Sequence, residues 1–359
     1  MYKRQGTNVL SNKNEITDCT GMAQGSTIYG NENKIINATI NVTQLLPTGE
    51  NPAAGINIIG NKNSIKNSTI SNTLTVDNDK ATEGIRLSGA ASTENLIDNI
   101  NITGYWNGVY ISDNATKNVI SNNKMNESVN MGIYLYDNAD NNQLTNNTID
   151  DVEIGNGIYI RLSKDNTASK NTLTNVKLGN GFSIHETTGK NTLDDNVIYS
   201  NAGAGILMFD ALNTEVTNNF IGQNRTGTAV VGNSNGISTQ GGSGNLMQTN
   251  TIVANLSGGI LIDNSSSNIV VSNSFGNLSG TNNALENNTN SILVNNGSKN
   301  NIIGKSGEGN IIHNKLKTFA AIQIDGTSST GNQISGNSLS CNAGKAVSYT
   351  HLRAHETRH

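Results

Sequence analysis

The chain has 359 residues, of which 34% are hydrophobic and only 4% aromatic, too little apolar material for one ordinary compact core of that length. Its net charge of −4 comes with no basic stripe, so nucleic acid and anionic membrane surfaces are not expected partners. No stretch is long and apolar enough to span a bilayer.

Taken in chain order, the first signal is Gly25-Ser26-Thr27-Ile28-Tyr29-Gly30-Asn31, which returns 30 residues later as Gly55-Ile56-Asn57-Ile58-Ile59-Gly60-Asn61, with Gly84 a further 29 residues on. The turn between the first two copies, Gln44 to Ala54, carries both prolines, Pro47 and Pro52. Proline cannot donate to a strand ladder, so this segment is expected to protrude. A second loop, Asp77-Asn78-Asp79-Lys80, offers two carboxylates. These are few for Ca²⁺, so a solvated turn is preferred there and no cofactor is expected.

From Gly108 to Asp210 the repeat tightens. Gly-Val-Tyr-Ile, Gly-Ile-Tyr-Leu, Gly-Ile-Tyr-Ile, Gly-Phe-Ser-Ile and Gly-Ile-Leu-Met begin at Gly108, Gly132, Gly157, Gly181 and Gly205, in steps of 24, 25, 24 and 24 residues. A fixed period in this range means one supersecondary unit stacked on copies of itself. The apolar residues alternate in short runs (Val109 and Ile111, Ile133 and Leu135, Ile158 and Ile160). That is strand periodicity, and no run is long enough for a helical stripe. Each unit is therefore strand and turn, closing a coil whose strands pair in parallel with those of the next coil, about 4.8 Å away.

A second motif accompanies the first. Two positions before each closing aliphatic stands an asparagine: Asn123, Asn147, Asn171, Asn196, Asn219, Asn250, Asn273, Asn310 and Asn337. Asn tolerates the left-handed backbone of a tight corner, and its amide can bond to the Asn above and below. These residues are expected to build the turns. Beyond Gly205 the steps lengthen to Gly236, Gly259, Ser291 and Ala321, with insertions at Gly222 to Ser234, Asn277 to Asn290 and Lys305 to Gly309. Gly241-Gly242-Ser243-Gly244-Asn245 has the look of a nonapeptide calcium repeat, but it occurs once and lacks the aspartate.

Cys19 and Cys341 stand at opposite ends, out of disulfide reach in a long tube. His351 and His355 have the spacing of a helical metal pair, but they lie in a tail set apart from the fold. Residues 1–5 and 347–359 differ in texture from the rest and resemble read-through of a transposase-type sequencing adapter, Met1-Tyr2-Lys3-Arg4-Gln5 at one end and Val347-Ser348-Tyr349-Thr350-His351-Leu352 onward at the other. Such segments are excluded from fold reasoning. On this reading residues 6–346 are a single solenoid domain, an internal piece of a longer protein. Uncapped coils at both ends would then favour end-to-end self-association.

The alternation of Gly-Ile-x-Ile with Asn-x-Ile resembles the right-handed parallel β-helix repeat proteins, a group that includes pectate-lyase-like polysaccharide enzymes, periplasmic accessory proteins and bacterial cell-surface adhesins. The segment Ile221-Gly222-Gln223-Asn224-Arg225-Thr226-Gly227 onward is similar to an insertion of bacterial surface members. The fold class expected is all-β: a right-handed parallel β-helix solenoid of twelve or thirteen coils, about 24 residues per coil and longer near both ends. The resemblance implies a secreted, periplasmic or cell-surface protein. It does not by itself imply one activity, because the group hosts many.

Function must come from what the coils display. With the two aliphatics of each phrase pointing inward, the residues between and after them point outward. One outward column reads Tyr110, Tyr134, Tyr159, Ser183, Leu207, and the next reads Ser112, Tyr136, Arg161, His185, Phe209. Together they form a patch edged by Asp137, Glu186 and Asp210. Its chemistry suits a polysaccharide or surface glycan. Aromatic rings pack on sugar faces, Arg161 can grip a uronate carboxylate, and His185 or Tyr134 can move a proton. The candidate catalytic set is Arg161, His185 and Tyr134, with Tyr110, Tyr136, Tyr159, Asp137, Glu186 and Asp210 as substrate-binding residues. If this is an enzyme, the set favours a lyase or epimerase over a glycoside hydrolase, which needs two facing carboxylates. Two other readings stand beside it. The tyrosines can be a cross-strand ladder with no ligand, and the solenoid can be a non-catalytic structural or adhesive stalk. Trp106 is expected to cover the core at a coil corner, and His313 to be an ordinary turn residue.

Overall fold

A computed structural model describes residues 7–9, 11–20, 25–43, 54–73, 83–276, 286–313, 319–340 and 346–349. The proline loop, the Asp77–Lys80 loop, Cys341, most of the Asn277–Asn290 insertion, the first five residues and the tail from residue 350 lie outside them. Among the described residues there are strands and turns and no helix.

Among the described residues one sheet of fourteen strands extends from Thr7–Val9 to Val347–Tyr349, every neighbour paired in parallel. Thirteen of these strands lie within residues 6–346, in line with the twelve or thirteen coils expected there. The last strand, Val347–Tyr349, lies in the segment that the sequence sets apart and pairs with Ile322–Ile324. The register reproduces the repeat: Val109 sits beside Ile133, Ile133 beside Ile158, and Ile158 beside Phe182. The remaining strands, such as Val119–Ser121 and Lys124–Ser128, stack into the other two faces. These faces join where the long strands Ser64–Asn72 and Leu96–Thr103 each round the corner without a break.

The core is a column one coil wide. Ile85, Val109, Ile133, Ile158, Phe182 and Ile206 stack in it fully buried, beside Leu87, Ile111, Leu135, Ile160, Ile184 and Met208. Each is stabilising by roughly 1.5–3 kcal/mol relative to exposure. The tube is so narrow that the leading glycine of each phrase has no room for a side chain. A Cβ at Gly132 would stand 2.4 Å from Ile149 Cγ2 and 2.6 Å from the Gly157 oxygen. Close approach, not an unusual φ, demands glycine here.

The asparagines form an unbroken buried ladder. The Oδ1 of Asn147 accepts from the backbone N–H of Asn123 at 3.1 Å and from its amide at 3.0 Å. The same pairing passes through Asn171, Asn196, Asn219, Asn250, Asn273 and Asn310 to Asn337. Every buried donor at this corner is thereby satisfied. The left-handed backbone, however, falls one residue earlier than expected, at Asn122, Asn146, Lys170, Asp195, Asn218, Thr249 and Ser272, all with φ between 55° and 58°. These are outward positions, so several residue types occupy them. The recurring amide is set by hydrogen bonding, and the turn conformation by its neighbour.

A second ladder at the other end of these strands runs from Asn14 through Asn33, Asn63, Asn95, Asn118, Asn142 and Asn166 to Asn191, and resumes from Asn245 through Asn268 and Asn301 to Asn332. Thr214 stands in the gap, its hydroxyl buried without a partner. Tyr105, not Trp106, fills the core at its corner. Tyr105 is 0% exposed and donates its hydroxyl to the Ser71 carbonyl, whereas Trp106 is partly exposed. His313 is a buried strand residue and not a turn residue, its Nδ1 3.2 Å from Ser340 Oγ.

Candidate functional site

The expected columns are in register, but two of their members, Ser112 and Ser183, are buried rather than displayed. Tyr110, Tyr134, Tyr159, Ser183 and Leu207 are aligned on successive strands, and so are Ser112, Tyr136, Arg161, His185 and Phe209. What each side chain touches departs from the sequence picture. Tyr134 lies 5.2 Å from Tyr110, 5.7 Å from Tyr136 and 5.0 Å from Tyr159, ring centre to ring centre. His185 then meets Tyr159 edge-on at 4.9 Å and leans on Phe209 at 5.3 Å. Tyr134 and Tyr159 stack face to face with 11° between their planes, whereas Tyr110 is tilted 45° to Tyr134 and His185 stands at 86° to Tyr159. Tyr134 and Tyr159 thus turn toward each other a face expected to pack on sugars.

The row extends one coil further than the candidate list. Arg86 is paired with Tyr110 in register, and its guanidinium carbon lies 5.6 Å from that ring centre, a cation–π contact. Carrying the 24-residue step back from Tyr110 would have found it. Asp113 is the other omission: it accepts from Ser88 and Ser112 hydroxyls, which hold its carboxyl below the usual range.

Arg161 is already engaged. Its Nε donates to Glu186 Oε2 at 2.8 Å, and its guanidinium lies 5.9 Å from the Tyr136 ring centre. Both partners are more than a third exposed, so water screens the pair, which is worth at most about 1 kcal/mol. Burial pushes the phenols of Tyr110, Tyr134 and Tyr159 above their ordinary range, leaving them protonated donors at neutral pH. Burial also lowers His185, against the opposing field of Glu186 and Asp210, so the imidazole is neutral there. Its Nε2 is 2.9 Å from Ser183 Oγ. Asp137, Glu186 and Asp210 all sit at the left-handed corner that follows the strand, with φ of 51°, 52° and 49°. Asp137 Oδ1 accepts from Asn138.

A concavity of about 730 Å³ lies on a different side of the tube. It is lined by Asp150, Asp151, Asn175, Lys177 and Ser200, with Val231 and Leu256 at its wall. No sequence motif marked it, because it forms only where the inserted segment after Ile221 folds back on earlier coils.

Comparisons with known proteins agree on the architecture. A family model for the right-handed β-helix region matches residues 24–198, and one for NosD, a periplasmic copper-binding protein, matches residues 153–280. No curated protein matches the chain. Among solved structures, the periplasmic alginate epimerase AlgG is 15% identical, with 91% of this chain and 73% of that chain covered at a TM-score of 0.56. The Azotobacter vinelandii mannuronan C-5 epimerase AlgE4 A-module is 14% identical, covering 93% and 91%, at 0.51. A lacto-N-biosidase from Eubacterium ramulus is 9% identical, covering 92% and 61%, at 0.55. At such identities the likeness is one of fold.

Copper does not fit the residues present. Copper sites draw on His, Cys and Met donors. Within 153–280 the chain has His185, Met208 and Met247 of these types and no cysteine, and both methionines are buried in the core. Among the described residues no three His, Cys, Asp or Glu side chains converge.

Proposed function

For this right-handed parallel β-helix repeat protein, we propose that the tyrosine face binds an extended polysaccharide lying along the tube axis, outside the cytoplasm. The observation that carries the reading is the spacing of Tyr110, Tyr134 and Tyr159, one phenol per coil at 5.0 to 5.2 Å. Side chains stand off the sheet, so this row presents a hydroxyl at a regular interval, close to the length of one sugar residue. Each phenol stays protonated and so donates. Arg86 continues the row one coil before Tyr110, and Arg161 lies on the strand of Tyr159. Sugars are then held chiefly by hydroxyl contacts, because Tyr134 and Tyr159 turn a face to each other. The saccharide-processing names of the structural neighbours, two epimerases and a biosidase, support a glycan partner, and the periplasmic epimerase supports the location.

A catalytic reading rests on one observation, the neutral imidazole of His185 beside Arg161. In it His185 takes a proton from a uronate carbon, Tyr134 returns one, and Arg161 neutralises the carboxylate. Arg161 would first have to leave Glu186, so binding without turnover is the reading preferred. The stalk reading draws on the mutual stacking of the rings.

The test is a polysaccharide pull-down and glycan array on the parent and on a Tyr110→Phe, Tyr134→Phe, Tyr159→Phe triple variant, which keeps the ring contacts. Loss of about tenfold in affinity, roughly 1.4 kcal/mol, is expected. Binding that survives undiminished, or no binding to any glycan by folded protein, overturns the proposal in favour of a stalk. Uronate depolymerisation or solvent isotope exchange, lost in His185→Gln, would move it to the catalytic reading.

A further inference from the structure

The concavity on the far side of the tube has an architecture of its own. Its wall is a built element. Within the insertion, Gln223 and Val230 form an antiparallel bridge, and Asn224 Oδ1 accepts from the backbone N–H groups of Thr228 and Ala229. Arg225 fastens this hairpin to the tube, pairing with Asp195 and covering the Phe220 ring at 5.1 Å. The wall is therefore in place before any ligand arrives, which lowers the ordering cost of binding.

The floor is equally pre-set. Asp150 Oδ1 accepts from Thr174 Oγ1 at 2.6 Å and from the Asn175 amide at 2.7 Å, and Ser200 Oγ donates to Asn175 Oδ1 at 2.9 Å. The Lys177 ammonium bridges Asp151 at 2.8 Å and Glu153 at 2.7 Å. In the lining two carboxylates, Asp150 and Asp151, stand against one ammonium that Glu153 also engages from outside, which disfavours an anionic ligand. Above this polar floor stand two apolar side chains with no core to join: Leu256, 61% exposed, and Val231, 50% exposed. The volume falls within the range of roughly 300–1,000 Å³ usual for small-molecule sites.

Carboxylate, amide and hydroxyl groups beneath an exposed aliphatic shelf complement one class of ligand. A sugar ring has a rim of hydroxyls that both donate and accept, and an apolar C–H face. We infer that this concavity is a second saccharide site, for an uncharged sugar of one or two rings, separate from the tyrosine face. It shares no residue with that face, so either site can fail alone.

The experiment is calorimetric or NMR titration with maltose, cellobiose, lactose and N,N′-diacetylchitobiose, with digalacturonate as the charged comparison. Two surface variants, Leu256→Glu and Ser200→Ala, probe the shelf and the floor, and Tyr134→Phe serves as the control on the other face. At least one neutral disaccharide is expected to bind in the millimolar range or tighter. Its affinity should drop about tenfold in Leu256→Glu, fall in Ser200→Ala and hold in Tyr134→Phe. Failure of all four neutral sugars, a preference for digalacturonate, or binding that both variants leave intact overturns the inference.

Discussion

Tyr134 and Tyr159 stack with ring centres 5.0 Å apart and 11° between their planes. Parallel rings on adjacent coils stabilise the sheet that carries them, and cross-strand aromatic pairs add roughly 0.2–1 kcal/mol each. Tyr134 has two such neighbours, Tyr110 and Tyr159, and also meets Tyr136 on its own strand. Tyr134→Ala is expected to cost about 2 kcal/mol, read as a lower urea midpoint, and Tyr134→Phe to cost little. If alanine were as stable as phenylalanine here, the rings would not be supporting one another.

The buried amide ladder should be far less tolerant. Asn171→Ala removes the acceptor of the Asn147 backbone N–H and the donor to the Leu144 carbonyl, both buried. Two unsatisfied groups at about 1–3 kcal/mol each predict a loss of about 3 kcal/mol or more. Asn146→Gly, one residue from the same ladder but at an exposed left-handed turn, should be close to neutral because glycine accepts that conformation freely. Denaturant melts of the pair would separate the two roles. Equal losses would contradict the division of labour between ladder and turn.

Where the second ladder breaks, it can be mended. Thr214 donates its backbone N–H to Asn245 Oδ1 but offers no amide to Asn191, and its own hydroxyl is unsatisfied. Thr214→Asn is predicted to raise stability by about 1 kcal/mol, measured as an increase in thermal or urea midpoint. A decrease would mean that the corner has no room for the longer side chain.

Glu83 gives the fold a predicted pH dependence. Its side chain is buried at 5% exposure with Oε2 unpartnered. Burial raises its carboxyl above the ordinary range, with Arg86 and a hydrogen bond to Asn107 opposing. The folded state thus holds the proton more tightly than the unfolded chain. The stabilising contribution is complete below the unfolded carboxyl value, about 4.3, and is lost as pH rises through the folded one. Glu83→Gln should therefore have a higher urea midpoint than the parent at pH 7 and approach it near pH 4. A constant difference across that range would rule out titration of Glu83 as the cause.

Much of this protein follows from its sequence alone. In a parallel coil the strand register equals the repeat period, so the Gly-Ile-x-Ile steps are enough to place Tyr110 beside Tyr134 and Arg161 beside His185. Period-two alternation likewise assigns the inward aliphatics, and the recurring asparagine announces a stacked amide corner. Only the tertiary structure decides what those neighbours do with their free valences. Ring orientation depends on side-chain rotamers, so the pairing of tyrosine faces with each other, and of Arg161 with Glu186, is invisible to a period. The same holds for the left-handed turn falling beside the ladder asparagine, because backbone torsion and side-chain burial are exchanged between adjacent residues of similar polarity. The concavity beside Leu256 depends on an insertion closing over coils some thirty to a hundred residues earlier, and no local pattern encodes where such a loop comes to rest.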